Sequence, residues 1–207
     1  MPKRQTLFLF LLTLILTTFI PLQAQEQDLV VVTSLQVSYS VTSALANNTN
    51  IKVVNTPENG RPLSSQADYF KRRGDKLASL FDDADAVVTI GKLWPEDPLY
   101  TAARKQNLRV VNIDATQPWS TTLPGISVAT EPDTTPPWAS GSTNNQTQQR
   151  ELSIYYWHNP TNVARSADII ASDLSRLSPQ DSKQIKANLV AYTKKLLTIK
   201  NEYENKF

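Results

Sequence analysis

His158 is the only imidazole in the 207-residue chain, and cysteine is absent. Thiolate catalysis, disulfide staples and thiolate-held zinc or iron–sulfur centres are thereby excluded, and so is any multi-histidine metal site. The chemistry that remains must use oxygen donors and this one ring. His158 is the candidate ligand for a divalent transition metal, with Asn159 and a carboxylate beside it; Glu96, Asp97 and Glu131 are the acids considered. The competing reading is a surface histidine in a strand-to-helix turn, with the three acids as solvated loop charges. A second set of residues is aromatic. Trp94, Trp119, Trp138, Tyr155, Tyr156 and Trp157 fall at or beyond predicted strand ends, the side on which open α/β sheets place their binding crevice. Such a set forms a ligand or protein-docking surface, although Trp157 and one of the two tyrosines suit a core equally well. No Ser-His-Asp spacing, phosphate loop or glycine-rich dinucleotide fingerprint is present, so no catalytic residue is assigned and the protein is read as a non-enzyme. Asp82, Asp83 and Asp85 read as a polar turn that ends a helix.

The elements that must position these residues follow from hydrophobic periodicity. Lys3 and Arg4 precede an apolar run from Leu7 to Ile20, and Ala24 offers a small residue for cleavage before Gln25. This is the order of a secretory signal peptide over residues 1–24, with no cysteine for lipid attachment. Its removal takes two of the 21 basic residues and none of the 19 acidic ones, leaving 19 of each and no electrostatic reason to expect nucleic acid as a partner. Leu29–Val32, Ile51–Val54, Ala86–Ile90 and Leu108–Ile113 are short β-branched runs, as strands covered on both faces require. Ile154–Trp157 reads as a last strand. Between them lie helical patterns: one carrying Leu35, Tyr39, Thr42 and Leu45, one divided at Gly74, and one over Pro98–Gln106. After the fifth strand, Asn162 or Ser166 caps a helix with Val163, Ala167, Ile170 and Leu174 as its apolar stripe. Ser178-Pro179 then starts another helix, which carries Ile185, Leu189, Tyr192 and Leu196 or Leu197. The expected architecture is α/β, a three-layer, mostly parallel sheet with helices on both faces, followed by a long C-terminal helix. Residues 25–160 form the lobe, with a polar insert at about 117–149, and residues 161–207 form the C-terminal helices.

Several segments carry a resemblance. YYWHNPTNVARSADIIASDLSRLSPQDSKQIKANLVAYTKKLLTI, VVVTSLQVSYSV and DDADAVVTIGKLWPED together are similar to the zinc and manganese class of periplasmic solute-binding proteins of ABC importers. That family has an Asp-Pro-His-x-Trp-x-Asp-Pro segment, an asparagine soon after it, a second turn with proline and a tyrosine-bearing long helix; Trp157, Pro160, Asn162, Pro179 and Tyr192 occupy those places. The resemblance implies a metal-receptor lobe, an importer permease as partner and a divalent metal as cargo. It also implies two histidine ligands that this sequence lacks. None stands near Gln66 or Ala67, Tyr155 stands two places before the tryptophan, and His158 follows Trp157 instead. Phe207 falls at about the end of the family's connecting helix, so the chain is expected to correspond to the first lobe plus that helix.

The function that follows is a soluble periplasmic, non-catalytic component related to metal-importer receptors, with no membrane span after leader removal. Whether metal binds is left open. The alternatives are an accessory module docking an importer permease or another periplasmic protein, a non-metal solute binder using the tryptophans, and a small α/β enzyme. A homodimer is a further candidate assembly.

Overall fold

The computed structural model describes residues 28–128 and 153–206. The predicted leader, Trp138 and Glu131 lie outside the described residues, as does most of the predicted insert. Four parallel strands, β1 (Leu29–Thr33), β2 (Ile51–Asn55), β3 (Ala86–Thr89) and β4 (Val111–Asp114), form a sheet in the order β2-β1-β3-β4. Helix α1 (Gln36–Leu45) connects β1 to β2, α2 (Gln66–Asp82) carries the chain over to β3, and α3 (Pro98–Gln106) leads into β4. Helices α4 (Pro160–Leu177) and α5 (Ser182–Glu204) complete the described fold. The order turns back between β1 and β3, which makes the carboxyl ends of those strands the topological switch point.

Alternation along the strands builds two cores. Val31, Ala86, Val88 and Ile113 face one way and meet Val41 and Leu45 of α1, Ala167, Ile170 and Leu174 of α4, and Ile185 of α5. Val32 and Val87 face the other way onto Phe70 and Phe81 of α2 and Leu99 and Ala103 of α3. This is the predicted three-layer α/β arrangement, and it explains why β1 and β3 read as unbroken apolar runs. Each large aliphatic chain taken fully out of water in these layers contributes about 1.5–3 kcal/mol.

Polar ties fix the layers to one another. Asp181, in the single-turn 3-10 helix Pro179–Asp181, accepts from Asn50 N at 3.2 Å and from Ser178 Oγ at 2.6 Å, joining the α4–α5 corner to the start of β2. Asn188 Nδ2 donates to the carbonyls of Leu45 and Asn47 at 2.8 and 2.7 Å, satisfying acceptors left at the end of α1. No described helix is long and apolar enough to cross a membrane.

Four local expectations are corrected. Residues 154–157 are not a strand: Tyr156–His158 is one turn of 3-10 helix, because Tyr156 is buried and hydrogen-bonded to Ser166 while Tyr155 is exposed and Trp157 packs half-buried against the first core. Gly74 does not divide α2, since an added Cβ would meet nothing within 4 Å and the helix passes through it on a free face. β4 begins at Val111, after a loop in which Asn107 donates to Asp82 and Ala84 carbonyls and accepts from Arg109 N. Asn159, with Pro160 at the first helical position, caps α4 through Thr161 N at 2.9 Å. Asn162 and Ser166 are thereby left inside the helix.

Candidate functional site

The carboxyl ends of the strands carry two hollows. The larger, about 840 Å³, lies beyond β1 and β2 between the start of α1, the 61–64 loop and the 154–157 segment. Leu35, Val37, Leu63 and Val163 give it an apolar floor, Tyr155 and Trp157 form a wall, and Arg61 supplies its charge. Gly60, at φ +70°, makes the turn that delivers Arg61, its N–H returning to the Pro57 carbonyl at 2.9 Å; an L side chain there would be strained. Asn55 supports the same loop from the end of β2, donating to Gln36 Oε1 at 2.6 Å and to the Pro57 carbonyl at 3.1 Å.

The aromatic wall is held by ring geometry. Trp157 meets Tyr155 edge-on at 5.3 Å between centroids and Tyr156 edge-on at 5.5 Å. His158 stacks nearly parallel on Tyr155 at 5.6 Å and does not line the hollow. Tyr156 is the tyrosine that joins the core, and its burial raises its pKa to about 12. The structure thus brings together Tyr155, Trp157 and His158 and withdraws Tyr156.

The tryptophans elsewhere are separate. Trp94 packs half-buried at the edge of the first core, with its N–H bonded to the Ile90 carbonyl. Trp119 lies in a second hollow, about 490 Å³, with Lys92, Leu123 and Val128, and its indole N–H donates to the Asn112 carbonyl at 2.9 Å. The start of the predicted insert is therefore fastened to the body. Ile126 N donates to the Thr116 carbonyl, and a Cβ on Gly125 would stand only 3.0 Å from that oxygen. Asn162 pairs with Ser127 in both directions, accepting its N–H at 3.2 Å and donating to its carbonyl at 2.9 Å.

The acids do not gather around His158. Asp97 is not a solvated loop charge: it is buried, accepts from Ile90 N and from Leu99 N at 3.1 Å each, and caps α3. Burial is the main cause that raises its carboxyl pKa to about 6; the two backbone N–H donors pull the other way, and Asp114 adds to the rise. Glu96 lines a third hollow, with Phe70, Phe81 and Lys71, on the α2–α3 side. Asp82, Asp83 and Asp85 meet Asp28 and Arg109 in a groove that also takes in Val111, next to Asp85, whose Oδ2 accepts Val30 N at 2.8 Å. Among the described residues, no three His, Asp or Glu side chains converge to hold a metal ion. Gln66, near which the family resemblance looked for a ligand, is fully buried and donates to the Ser34 carbonyl.

Arg61 and Asp173 are the residues that sequence reasoning missed. Arg61 was legible only as one residue of a turn-rich stretch. Asp173 carried a signal: Asn162, Ser166, Ile169 and Asp173, spaced by four, three and four, form a second buried line along α4. Its Oδ2 accepts Trp119 N at 3.4 Å, and its Oδ1 has no partner among the described residues.

No curated protein matches the sequence. Solved structures share the fold. A zinc-bound deletion mutant of ZnuA is 21% identical with a TM-score of 0.57, covering 84% of this chain and 56% of that one. The periplasmic metal binding protein of Candidatus Liberibacter asiaticus is 19% identical with a TM-score of 0.59, covering 86% and 57%. Nickel-bound FpvC of P. aeruginosa is 18% identical with a TM-score of 0.54, covering 84% and 53%. The chain therefore spans a little over half the length of each of these structures. Residues 22–207 match the family described as zinc-uptake complex component A, periplasmic, and the chain belongs to that family of metal ABC transporter substrate-binding proteins.

Proposed function

We propose that the protein is a non-catalytic component of the cell envelope that works beside an ABC-type permease and presents the strand-end rim as its binding surface. One observation carries the reading: the family scaffold is kept while the rim displays Arg61, Tyr155 and Trp157 in place of convergent metal donors. A tight divalent site needs three or four preorganised ligands with their own hydrogen-bonded support, and His158 stacked on Tyr155 does not meet that need. The donors among the described residues therefore do not fit the zinc or manganese named for the relatives. Calorimetric titration of the purified protein with zinc, manganese and nickel is expected to show no saturable site tighter than about 0.1 mM. One site of sub-micromolar affinity overturns the metal-poor rim.

Residues 1–24 act as the export leader in this proposal, consistent with the family's periplasmic description. Mass spectrometry of the protein recovered from the envelope is expected to find Gln25 at its amino terminus. Recovery of the intact chain in the membrane fraction refutes the leader.

A further inference from the structure

We propose that the hollow beyond β1 and β2 binds a small organic carboxylate with a flat apolar body, its carboxylate held by Arg61 and its body against Tyr155 and Trp157. The inference rests on the reading of the strand-end rim as the binding surface and adds the class of ligand. At about 840 Å³ the hollow is of the size that takes such molecules. Among the described residues its lining holds one charged side chain, Arg61, and no carboxylate or imidazole. Among the described residues the ion pairs are Arg165–Asp168 and Lys200–Glu204, and none of these residues gives Arg61, which borders the hollow, a carboxylate partner.

The guanidinium is already oriented. It stands over the ring of Tyr69 at 5.2 Å, and Tyr69 is anchored by its hydroxyl 3.1 Å from Thr56 Oγ1. An arginine covered on one face by an aromatic ring keeps its N–H fork free at the edge, and that fork matches the two oxygens of a carboxylate. One cation beside an apolar floor suits a monoanion, whereas a phosphate dianion would call for a second cation, and Arg61 is the one cation of the described lining. Tyr155 and Trp157, fixed edge to face, offer a rigid surface on which a planar group packs at little cost in side-chain freedom. Metal capture and carboxylate capture are thus opposite in sign at this rim: the first needs anionic donors, the second a cation.

The test is titration of the purified protein with 3-phenylpropionate and its neutral isostere 3-phenylpropanamide, read by calorimetry in the presence of chelator. The acid is expected to bind in the sub-millimolar to millimolar range and at least about 10-fold more tightly than the amide, the factor that a charge-assisted hydrogen bond supplies. Arg61→Gln should reduce acid binding to the level of the amide and leave amide binding unchanged, and Trp157→Ala should weaken both; thermal melts of each variant verify folding. Arg61→Lys, which keeps the charge without the fork, should fall between. Equal binding of acid and amide overturns the proposal, as does full affinity in Arg61→Gln or absence of acid binding at 10 mM, roughly a 10-fold excess over the weakest constant expected for the acid. Because chelator is present, a metal site found separately would overturn the metal-poor rim without changing this result.

Discussion

Replacing Phe81 by alanine is expected to cost about 3–5 kcal/mol and to lower the melting temperature by roughly 10 °C. Phe81 is 1% exposed and sits near the carboxyl end of α2, where it faces Phe70 at 6.1 Å between ring centroids and packs with Val32, Val87, Leu99 and Val110. Among the described residues the second core has eight buried members, so one ring is a large share of it. Refilling is difficult here, because Phe81 and Phe70 also border the 580 Å³ hollow between α2 and α3, and the vacated volume would open into that space. Phe81→Leu, which keeps most of the volume, should cost about 1–1.5 kcal/mol. Urea denaturation of both variants is the check; a loss below about 1 kcal/mol in the alanine variant would show that α2 collapses onto the sheet freely. The layer involved lies across the sheet from the floor of the Arg61 hollow. Affinity there should therefore survive the substitution as long as the protein stays folded.

The same two-layer construction explains what was legible in the sequence. Val31–Val32 and Ala86–Thr89 are buried and Leu29–Val30 half-buried, with helices on both faces, so composition alone marks these runs as strands, and the stripe Val163, Ala167, Ile170 and Leu174 keeps one helical face against them. Tyr155–Trp157 failed for a physical reason. Three adjacent aromatics give no period, and whether they extend or turn depends on the hydroxyl of Tyr156 reaching Ser166 ten residues away, a tertiary contact. The start of β4 failed similarly, since Leu108 is 76% exposed and its apolar character does not report burial. For the site, the aromatic half was visible as composition, but its partner was not. Arg61 shares the hollow with Tyr155 and Trp157 from a loop more than ninety residues earlier, and only the tertiary fold brings the two segments together. His158 drew notice as the lone imidazole, yet its role in the described structure is to stack on Tyr155.

Folding stability should carry a component that decreases as pH rises between about 4 and 6, owing to Asp97 and Asp173. Both carboxyls have pKa values raised from 3.8 to about 6, first because burial withholds water from the charged form. For Asp173 the Trp119 N–H and the charge of Arg176 act in the opposite sense without cancelling it. A raised folded pKa means that the native state binds the proton more tightly than the unfolded chain. The contribution is thus fully present below the unfolded value of about 3.8 and is lost as pH rises through about 6. For Asp97 a shift of about two units corresponds to about 3 kcal/mol. The two groups separate by substitution. Asp173→Asn removes a buried charge whose Oδ1 has no partner among the described residues, and it should raise stability by about 1–2 kcal/mol at pH 7.5 while changing little near pH 4. Asp97→Asn retains a capping oxygen for Leu99 N but turns an amide toward Ile90 N, so it should be destabilising at both pH values. Urea midpoints measured from pH 4 to pH 8 decide the matter: an unchanged pH slope in Asp173→Asn would mean that its carboxyl titrates like a solvated one. Trp119 N bonds to this carboxylate, so ionisation that weakens the fold also strengthens the tie holding the second hollow's loop to α4. Hydrogen exchange at that amide should therefore slow relative to its neighbours as the pH passes 6, even as global stability falls.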